Sequence, residues 1–445
     1  MSTTMEQPPQ LTGWGRIPGH GRELVSEDLE RLTEHAVLSR GLGRSYGDSA
    51  LPPPSVDAVA TTTLADRLLA FEPKSGLLHA EAGLSLYTLN QIFLPRGYFV
   101  PVTPGTQFVT LGGMVGSDVH GKEHHVRGCF GEHVTRLKMR VADGRILWCS
   151  DDEHPELFRA TLGGMGLTGH ILEVVFHLRR IASPWIRQHS RRVDDIDEYI
   201  DALKDGAKKW PYTVGWLDCL TPGRHLGRGI LLAGDWADPA LAPARPPRRL
   251  PSVTMPLELP SFVLGQTTTK IFNTGLYWTH LPRTRDRLIS WETFFYPLDA
   301  LRKWNLMYGP RGFTQYQCVL PERAGRGAAR RVLEVLTRRG GASFLCVIKD
   351  CGPQGKGILS FPMAGVSIAL DIAVRDDTQA LIDALNECVL AEGGRIYLSK
   401  DRFTRREHFL AMEPRLPEFQ RIRAQWDPKG LIRSAQSVRL FGDRP

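Results

Sequence analysis

Residues 103–133 read TPGTQFVTLGGMVGSDVHGKEHHVRGCFGEH, and this stretch decides the reading of the chain. A tight turn at Pro104-Gly105 leads into the double glycine Gly112-Gly113. A polar run then carries Asp118, His120, Lys122, His124 and His125. Glycine lets a flat or charged ligand approach backbone N–H groups. Histidine and lysine beside such a loop can polarise a ligand or move a proton. Two further glycine-rich stretches flank it: Gly41-Leu-Gly-Arg-Ser-Tyr-Gly-Asp48 upstream and Gly163-Gly-Met-Gly-Leu-Thr-Gly169 downstream. Three such loops point to one large, elongated cofactor.

At 445 residues the chain exceeds one average core, and its length predicts roughly two or three domains. It is 42% hydrophobic and 23% charged, as a soluble globular protein is. No apolar run approaches the ~20 residues of a membrane helix. MSTTMEQPPQLTGWGR lacks a basic segment followed by an apolar one, so no secretory signal is expected. The expected location is cytoplasmic, with peripheral contact at the inner membrane face. The seven cysteines are scattered and read as reduced thiols, although Cys346 and Cys351 could pair. Lys and Arg exceed Asp and Glu by 56 to 48. Arginines gather at Arg245, Arg248 and Arg249, and again at Arg283, Arg285 and Arg287. These could meet anionic lipid or a phosphorylated substrate, or simply be a solvated basic surface. No zinc finger, RNP sequence or helix-turn-helix supports nucleic acid as a partner.

The first 180 residues read as short strands between glycine and proline turns. Ala36–Leu38, Leu77–Glu81, Leu137–Val141, Ile146–Cys149 and Ile171–Phe176 have strand character, with a hairpin turn at residues 142–145. Leu84–Leu94 and Pro155–Ala160 read as helices. Near 180 the character changes. Val193–Leu203, Ala329–Leu336 and Thr378–Leu390 are amphipathic helices by spacing, and Val366–Val374 alternates like a strand. Prolines 243, 246, 247, 251, 256 and 260 make that segment a loop or mobile stretch.

The glycines of Gly41–Asp48 are spaced G-x-G-x-x-x-G, one residue too long for the dinucleotide fingerprint. That fingerprint must also open into a helix, and Pro52-Pro53-Pro54 forbids one. The loop would instead cradle phosphate through its own amides. The histidines at 120, 124 and 125 admit a metal reading, but Gly121 weakens the helix that would present His120 and His124 together. A catalytic zinc site also wants a well-placed third ligand. Cofactor contact or catalysis is the preferred role, with structural histidines as the bland alternative and no metal expected.

Taken together, these loops resemble the vanillyl-alcohol-oxidase (PCMH-type) flavoproteins, and within them the branch that oxidises polyprenylphosphoryl-β-D-ribose. The resemblance extends along the chain: Leu11–Arg16, Trp304-Asn305, Tyr308–Pro310, Gly312-Phe313, Gln315–Gln317, Leu359–Pro362, Gly393–Tyr397 and Lys400-Asp401. It implies an α+β chain with a two-domain PCMH-type FAD-binding fold and an inserted antiparallel-sheet substrate domain. The FAD part would span 1–178 and return over 395–445, with the substrate domain over 179–394. FAD would be held by Gly41, Gly43, Arg44, Ser45, Tyr46, Gly47 and Asp48 of the first loop. Gly105, Thr106, Gly112, Gly113, Ser117, Asp118, His120, Gly121 and Lys122 would follow from the second. Gly166, Gly169, Ile171 and Tyr397 would complete the set. Substrate would meet Trp304, Phe295, Gln315, Gln317, Lys349, Ala369 and Lys122.

In many relatives a histidine of the first loop bonds covalently to the flavin. Arg44 stands in its place, so the resemblance implies non-covalent FAD. Ala369 stands where relatives carry cysteine, and Phe295 where they carry tyrosine. Ala435 stands where an aspartate usually follows the serine. The implied chemistry is oxidation of a secondary sugar alcohol, most specifically the 2′-hydroxyl of a polyprenylphosphoryl-β-D-ribose. Lys400 or His120 would be the base, with Tyr397 beside them. Lys400 could instead act as a cation that stabilises alkoxide or reduced flavin. A separate NAD(P)H-dependent reductase would complete epimerisation to arabinose. Phe262, Leu264, Phe272, Tyr277 and Trp278 offer apolar contact to a lipid tail. Alternatives are an FAD enzyme of another sugar, polyol or nucleoside, and a non-catalytic flavin- or lipid-binding protein.

Overall fold

The computed structural model describes residues 11–249, 251–260 and 264–445. Phe262, the first apolar residue named for a lipid tail, lies outside them. Helix and antiparallel sheet are mixed, as expected of an α+β chain. A five-stranded antiparallel sheet has the order Ile146–Ser150, Val134–Arg140, His170–His177, Leu77–Glu81, Leu68–Glu72. Its apolar face packs on the helices Leu86–Phe93 and Leu111–Gly116 around Leu78, Leu137, Val174 and Phe176. A small parallel sheet, Arg22–Val25, Ala58–Thr61 and Ser39–Arg40, leads into the first glycine loop. Among the described residues no helix is long and apolar enough to cross a membrane.

An eight-stranded antiparallel sheet carries the rest, and its period-two alternation sorts chemistry from core. Phe313–Pro321, Gly365–Ala373 and Cys346–Cys351 are neighbours in it. One face presents Tyr316, Cys318, Ile348, Ile368 and Leu370 to a core shared with the helices Ile196–Lys209, Gly327–Arg338 and Thr378–Ala391. The opposite face presents Gln315, Gln317, Lys349, Ser367, Ala369 and Asp371. The register sets Gln315 against Asp371, Gln317 against Ala369 and Lys349 against Ser367. A one-residue slip would exchange the two sets and turn every polar group into the apolar core.

The chain then returns. Arg406–Met412, Leu416–Trp426 and Ala435–Leu440 are helices whose Phe409, Phe419, Leu440 and Phe441 pack on Ala160, Met165 and Leu167 beside the third glycine loop.

Several local expectations need correcting. Ala36–Leu38 is not a strand, because the carbonyls of Ala36 and Val37 are taken by His170 and by the Arg433 N–H. Pairing starts at Ser39. Val193 closes the strand Trp185–Val193, and the helix begins only at Ile196. Asp195 caps it, accepting the N–H groups of Asp197 and Glu198, a contact worth about 1 kcal/mol. The proline-rich segment is not wholly loop, since Val253–Thr254 pairs with Leu301–Arg302. Cys346 and Cys351 are free thiols at opposite ends of one strand, too far apart to bridge.

Candidate active site

The first glycine loop is clamped from both sides. Trp14 N–H donates to Ser45 O (2.8 Å), and Tyr46 N–H to Ser399 O (2.9 Å). A Cβ on Gly47 would lie 1.9 Å from Asp401 O, so only glycine lets these segments touch. The clamp sets Lys400 Nζ 3.8 Å from the centre of the Tyr46 ring. No helix follows the loop. Arg44 projects between Trp14 and Phe108, its guanidinium carbon 4.0 and 5.3 Å from their rings, and its buried Nε has no partner. The Asp48 carboxylate is bound by Arg402 and Arg439.

The second and third loops lie side by side, with Met165 N–H donating to Gly116 O (2.8 Å). Thr106 Oγ1 and Gln107 N–H both donate to Asp299, which holds the turn after Gly105. Around Gly105 and Gly166 a Cβ would meet nothing within 4 Å, so a strip of backbone is open to a flat group. Gly112 and Gly113 lie in the helix Leu111–Gly116, capped by Thr110. Gly41, Gly121 and Gly169 instead serve close packing, on Thr110, Thr103 and Arg140. Ile171 is buried in the five-stranded sheet. Ser117 contributes its carbonyl, which accepts Tyr397 OH (2.9 Å). Asp118 is buried, accepts Gly131 N–H and Ser360 Oγ–H, and is pushed up to about 6 by burial. It is an internal tie, out of a ligand's reach.

His120 sits among Tyr397, Phe361 and His124, with ring centres 4.9, 5.2 and 6.2 Å away. Gln317 Nε2 lies 2.9 Å from His120 Nε2 and 3.1 Å from Ser367 Oγ, so the amide donates to both. That assignment leaves the imidazole proton on Nδ1, which is buried without a partner. Burial, then Lys349, His124 and Lys400, hold the His120 pKa well below its usual range, so the ring is neutral. His124 Nδ1 accepts Gly352 N–H, and His125 Nε2 donates to Trp210 O. The three histidines thus go to different partners. No group of three metal-ligating side chains is assembled among the described residues.

Three half-buried lysines converge here. Lys122 Nζ donates to Phe295 O (3.0 Å), and burial followed by the charge of Lys349 pushes it down to about 7. Burial also lowers Lys349, against the opposing pull of Cys351 and buried Glu123. Burial lowers Lys400, assisted by Lys349, while Asp371 works the other way. None of the three is ion-paired; the paired lysines of the described chain are Lys138, Lys204, Lys208 and Lys356. A cleft with unpaired, easily neutralised lysines suits both proton abstraction and anion binding.

Gln315, Gln317, Lys349 and Ala369 share the sheet face that looks onto these groups. Trp304 stands at its edge in an aromatic cluster with Trp14, Tyr46, Tyr308 and Phe313. The Phe295 ring is placed differently. It is 0% exposed among Phe99, Tyr212 and Trp236, and meets the cleft through Lys122, which donates to its carbonyl and lies 5.7 Å from its ring centre. Asp371 escaped the sequence reading. It is 1% exposed, accepts Gln315 Nε2–H and Tyr308 OH, and opposes Lys400 electrostatically. The signal was present: Ser367, Ala369 and Asp371 occupy every second position of an otherwise apolar strand. Asp299 and Glu123 were missed for want of any such pattern.

These features fit FAD: an open glycine strip, unpartnered Arg44 Nε and His120 Nδ1 beside it, and cations at one end. Residues 29–150 match the family described as "FAD binding domain". The chain is 33% identical to decaprenylphosphoryl-β-D-ribose oxidase of Mycolicibacterium smegmatis, over 97% of each chain. It is 33% identical to an uncharacterised protein of Streptomyces coelicolor, over 80% of this chain and 100% of that one. A third relative, D-arabinono-1,4-lactone oxidase of Yarrowia lipolytica, is 27% identical over 36% of this chain and 32% of that one.

Proposed function

The chain belongs to the FAD-dependent oxidoreductases that include decaprenylphosphoryl-β-D-ribose oxidase and oxidise CH–OH groups of sugars, and from that membership we propose that it oxidises the 2′-hydroxyl of a polyprenylphosphoryl-β-D-ribose to the keto sugar. The observation that carries the reading is the meeting of Lys400, Lys349, Lys122, His120 and Gln317 beside the glycine strip. We assign the FAD-binding part to 1–178 and 395–445 and the substrate-binding part to 179–394. The packing of the C-terminal helices on the third loop supports this division.

FAD, when bound, supplies the two-electron sink that takes hydride from the alcohol carbon. Lys400 Nζ takes the hydroxyl proton. Its lowered pKa supplies the neutral amine that a base must be. His120 is a hydrogen-bond donor through Nδ1, because its Nε2 accepts from the Gln317 amide. Gln317 and Lys349 hold neighbouring sugar hydroxyls, while Lys122 adds positive charge where the oxygen becomes anionic. Tyr397, pinned to Ser117 O, packs against His120 and fixes its ring. A separate NAD(P)H-dependent reductase then completes epimerisation to arabinose, a cell-wall arabinan precursor.

A second reading, oxidation of another sugar, polyol or nucleoside, is favoured by two observations: Phe295 turns no polar group but its carbonyl toward the cleft, and Ala369 offers no thiol. The test mixes enzyme with farnesylphosphoryl-ribose and follows flavin bleaching and the keto product by mass. Rapid bleaching with that product supports the proposal. An inert substrate, with a free sugar or nucleoside bleaching fast, moves the assignment to the second reading. Each buried methylene contributes on the order of 0.8 kcal/mol, so a tail-less ribose phosphate should need far higher concentration.

We further propose that FAD is held without a covalent bond. Arginine at position 44 has no nucleophilic ring nitrogen to join the flavin, and its guanidinium is occupied between two aromatic rings. Acid precipitation should release the yellow colour as FAD into the supernatant. Colour retained by the pellet would refute this.

A further inference from the structure

The helix Gln266–Thr279 has two unlike faces. Inward, Thr269, Asn273 and Tyr277 are buried four residues apart. Asn273 Nδ2 donates to Asp218 (3.1 Å), and Tyr277 OH to Asp194 (2.6 Å). Outward, Ile271 is 69% exposed, Phe272 53% and Trp278 52%, with Leu281 at 57% just past the helix end. Ile271 and Trp278, seven residues apart, line up on the helix, and Phe272 widens their stripe on one flank.

Cations rim the stripe. Lys270 precedes it on the helix, and Arg287 lies on the adjoining edge strand Thr284–Ser290. Both are exposed and in no ion pair among the described residues. Arg283, by contrast, is occupied by Asp194 and Glu198. Arg192 lies 4.5 Å over the Trp278 ring, its Nε and Nη1 buried beneath the stripe, so the cations offered to a surface are Lys270 and Arg287. An exposed apolar stripe with indole at one end and spare cations around it matches the chemistry of an anionic lipid surface. A protein partner would not require the cations.

We propose that this helix and the adjoining strand edge dock the protein on an anionic membrane. Ile271, Phe272, Trp278 and Leu281 enter the acyl boundary, while Lys270 and Arg287 meet headgroups. A run of packed aromatic rings joins the docking face to the cleft through the protein interior. Phe272 meets Phe344 (6.0 Å), Phe344 stacks on Tyr308 (5.6 Å) and Tyr308 on Phe313 (4.1 Å). Phe313 meets Tyr46 (5.2 Å), whose ring carries Lys400. Docking there brings the surface holding a lipid-borne sugar to the cleft. The inference rests on the lipid-linked reading for its purpose only. Vesicle binding needs no substrate, so the two fail separately.

The test is sedimentation of the flavin-loaded chain with phosphatidylcholine vesicles, with and without phosphatidylglycerol. Wild type should pellet with the anionic vesicles and stay largely in solution with the neutral ones. Ile271→Glu should abolish most of the binding. Lys270→Glu with Arg287→Glu should lower it about fivefold or more per charge. None of these should change bleaching by a soluble short-tailed substrate. Equal binding to both vesicle types, or variants that pellet like wild type, would overturn the proposal. So would a wild-type oligomer in gel filtration that Ile271→Glu splits, since the stripe would then belong to a second copy.

Discussion

Replacing Lys400 with alanine should leave a folded, yellow protein whose flavin is reduced by substrate about a hundredfold more slowly, the scale of a lost general base. Lys400 is the one amine placed by the clamp on the first loop, above Tyr46. The pH profile identifies its role. A base must be neutral, so the reduction rate in wild type should rise with pH and level off above the Lys400 pKa. Burial and the positive charge of Lys349 put that inflection below the ordinary lysine range. Facing Lys400 are Asp371, Lys349, His120 and the Tyr46 ring. Of these, the Asp371 carboxylate and the face of the Tyr46 ring favour the charged amine, and only Asp371 does so with a full charge, so Asp371→Asn should move the inflection to lower pH. Lys400→Ala should remove it. Stopped-flow bleaching across pH measures all three. A near-wild-type rate in Lys400→Ala would pass the role to another group, and His120→Ala is the parallel variant. A hundredfold loss with the pH inflection intact would make Lys400 a binding cation instead of the base.

The parts of this site legible in the sequence are those whose chemistry is local. Glycines 41–47 and 163–169 announce close backbone approach whatever lies opposite, and Pro52–Pro54 alone dismisses a helix after the first loop. The amphipathic helices were legible because one face of each must be apolar, although the start at Val193 was wrong: the apolar period ran past the Asp195 cap into the preceding strand. Alternation with Ser367 and Ala369 sets Asp371 on the polar face of its strand, but what it meets there is legible only when the facing strands are known. Its partners Gln315 and Tyr308 come from residues more than fifty positions away. The setting of Asp48 was illegible for the same reason. Within its glycine loop it resembles a ligand contact, yet its partners Arg402 and Arg439 lie at the other end of the chain.

That distant contact carries the second large effect. Arg439 should be the residue that locks the C-terminal tail onto the cofactor loop. Its guanidinium donates to both oxygens of Asp48 (2.8 and 3.0 Å), to Asp401 (2.8 Å) and to Thr404 O (2.6 Å). The Asp48 side chain is 2% exposed and that of Asp401 6%. Removing one partner of a buried ion pair costs about 3–5 kcal/mol. Arg402 remains on Asp48 in Arg439→Ala, so the low end, about 3 kcal/mol, is expected, or roughly a hundredfold in the folding equilibrium. The same contact orders residues 399–402 and the loop beside them, so FAD retention on gel filtration should fall along with the melting temperature. Lysine cannot span both carboxylates with a planar fork, so Arg439→Lys should restore only part of the loss. The helix Ala435–Leu440 that presents Arg439 has its own Ser434–Ser437 capping box. Ala435 packs beside Leu38 and Leu51 and meets no charge. In this chain the tie between tail and loop therefore runs through Arg439. If Arg439→Ala melts with wild type and keeps its flavin, the tail is held by the packing of Phe409, Phe419 and Phe441 and by contacts such as Arg433 N–H to Val37 O and Ala435 N–H to Leu51 O.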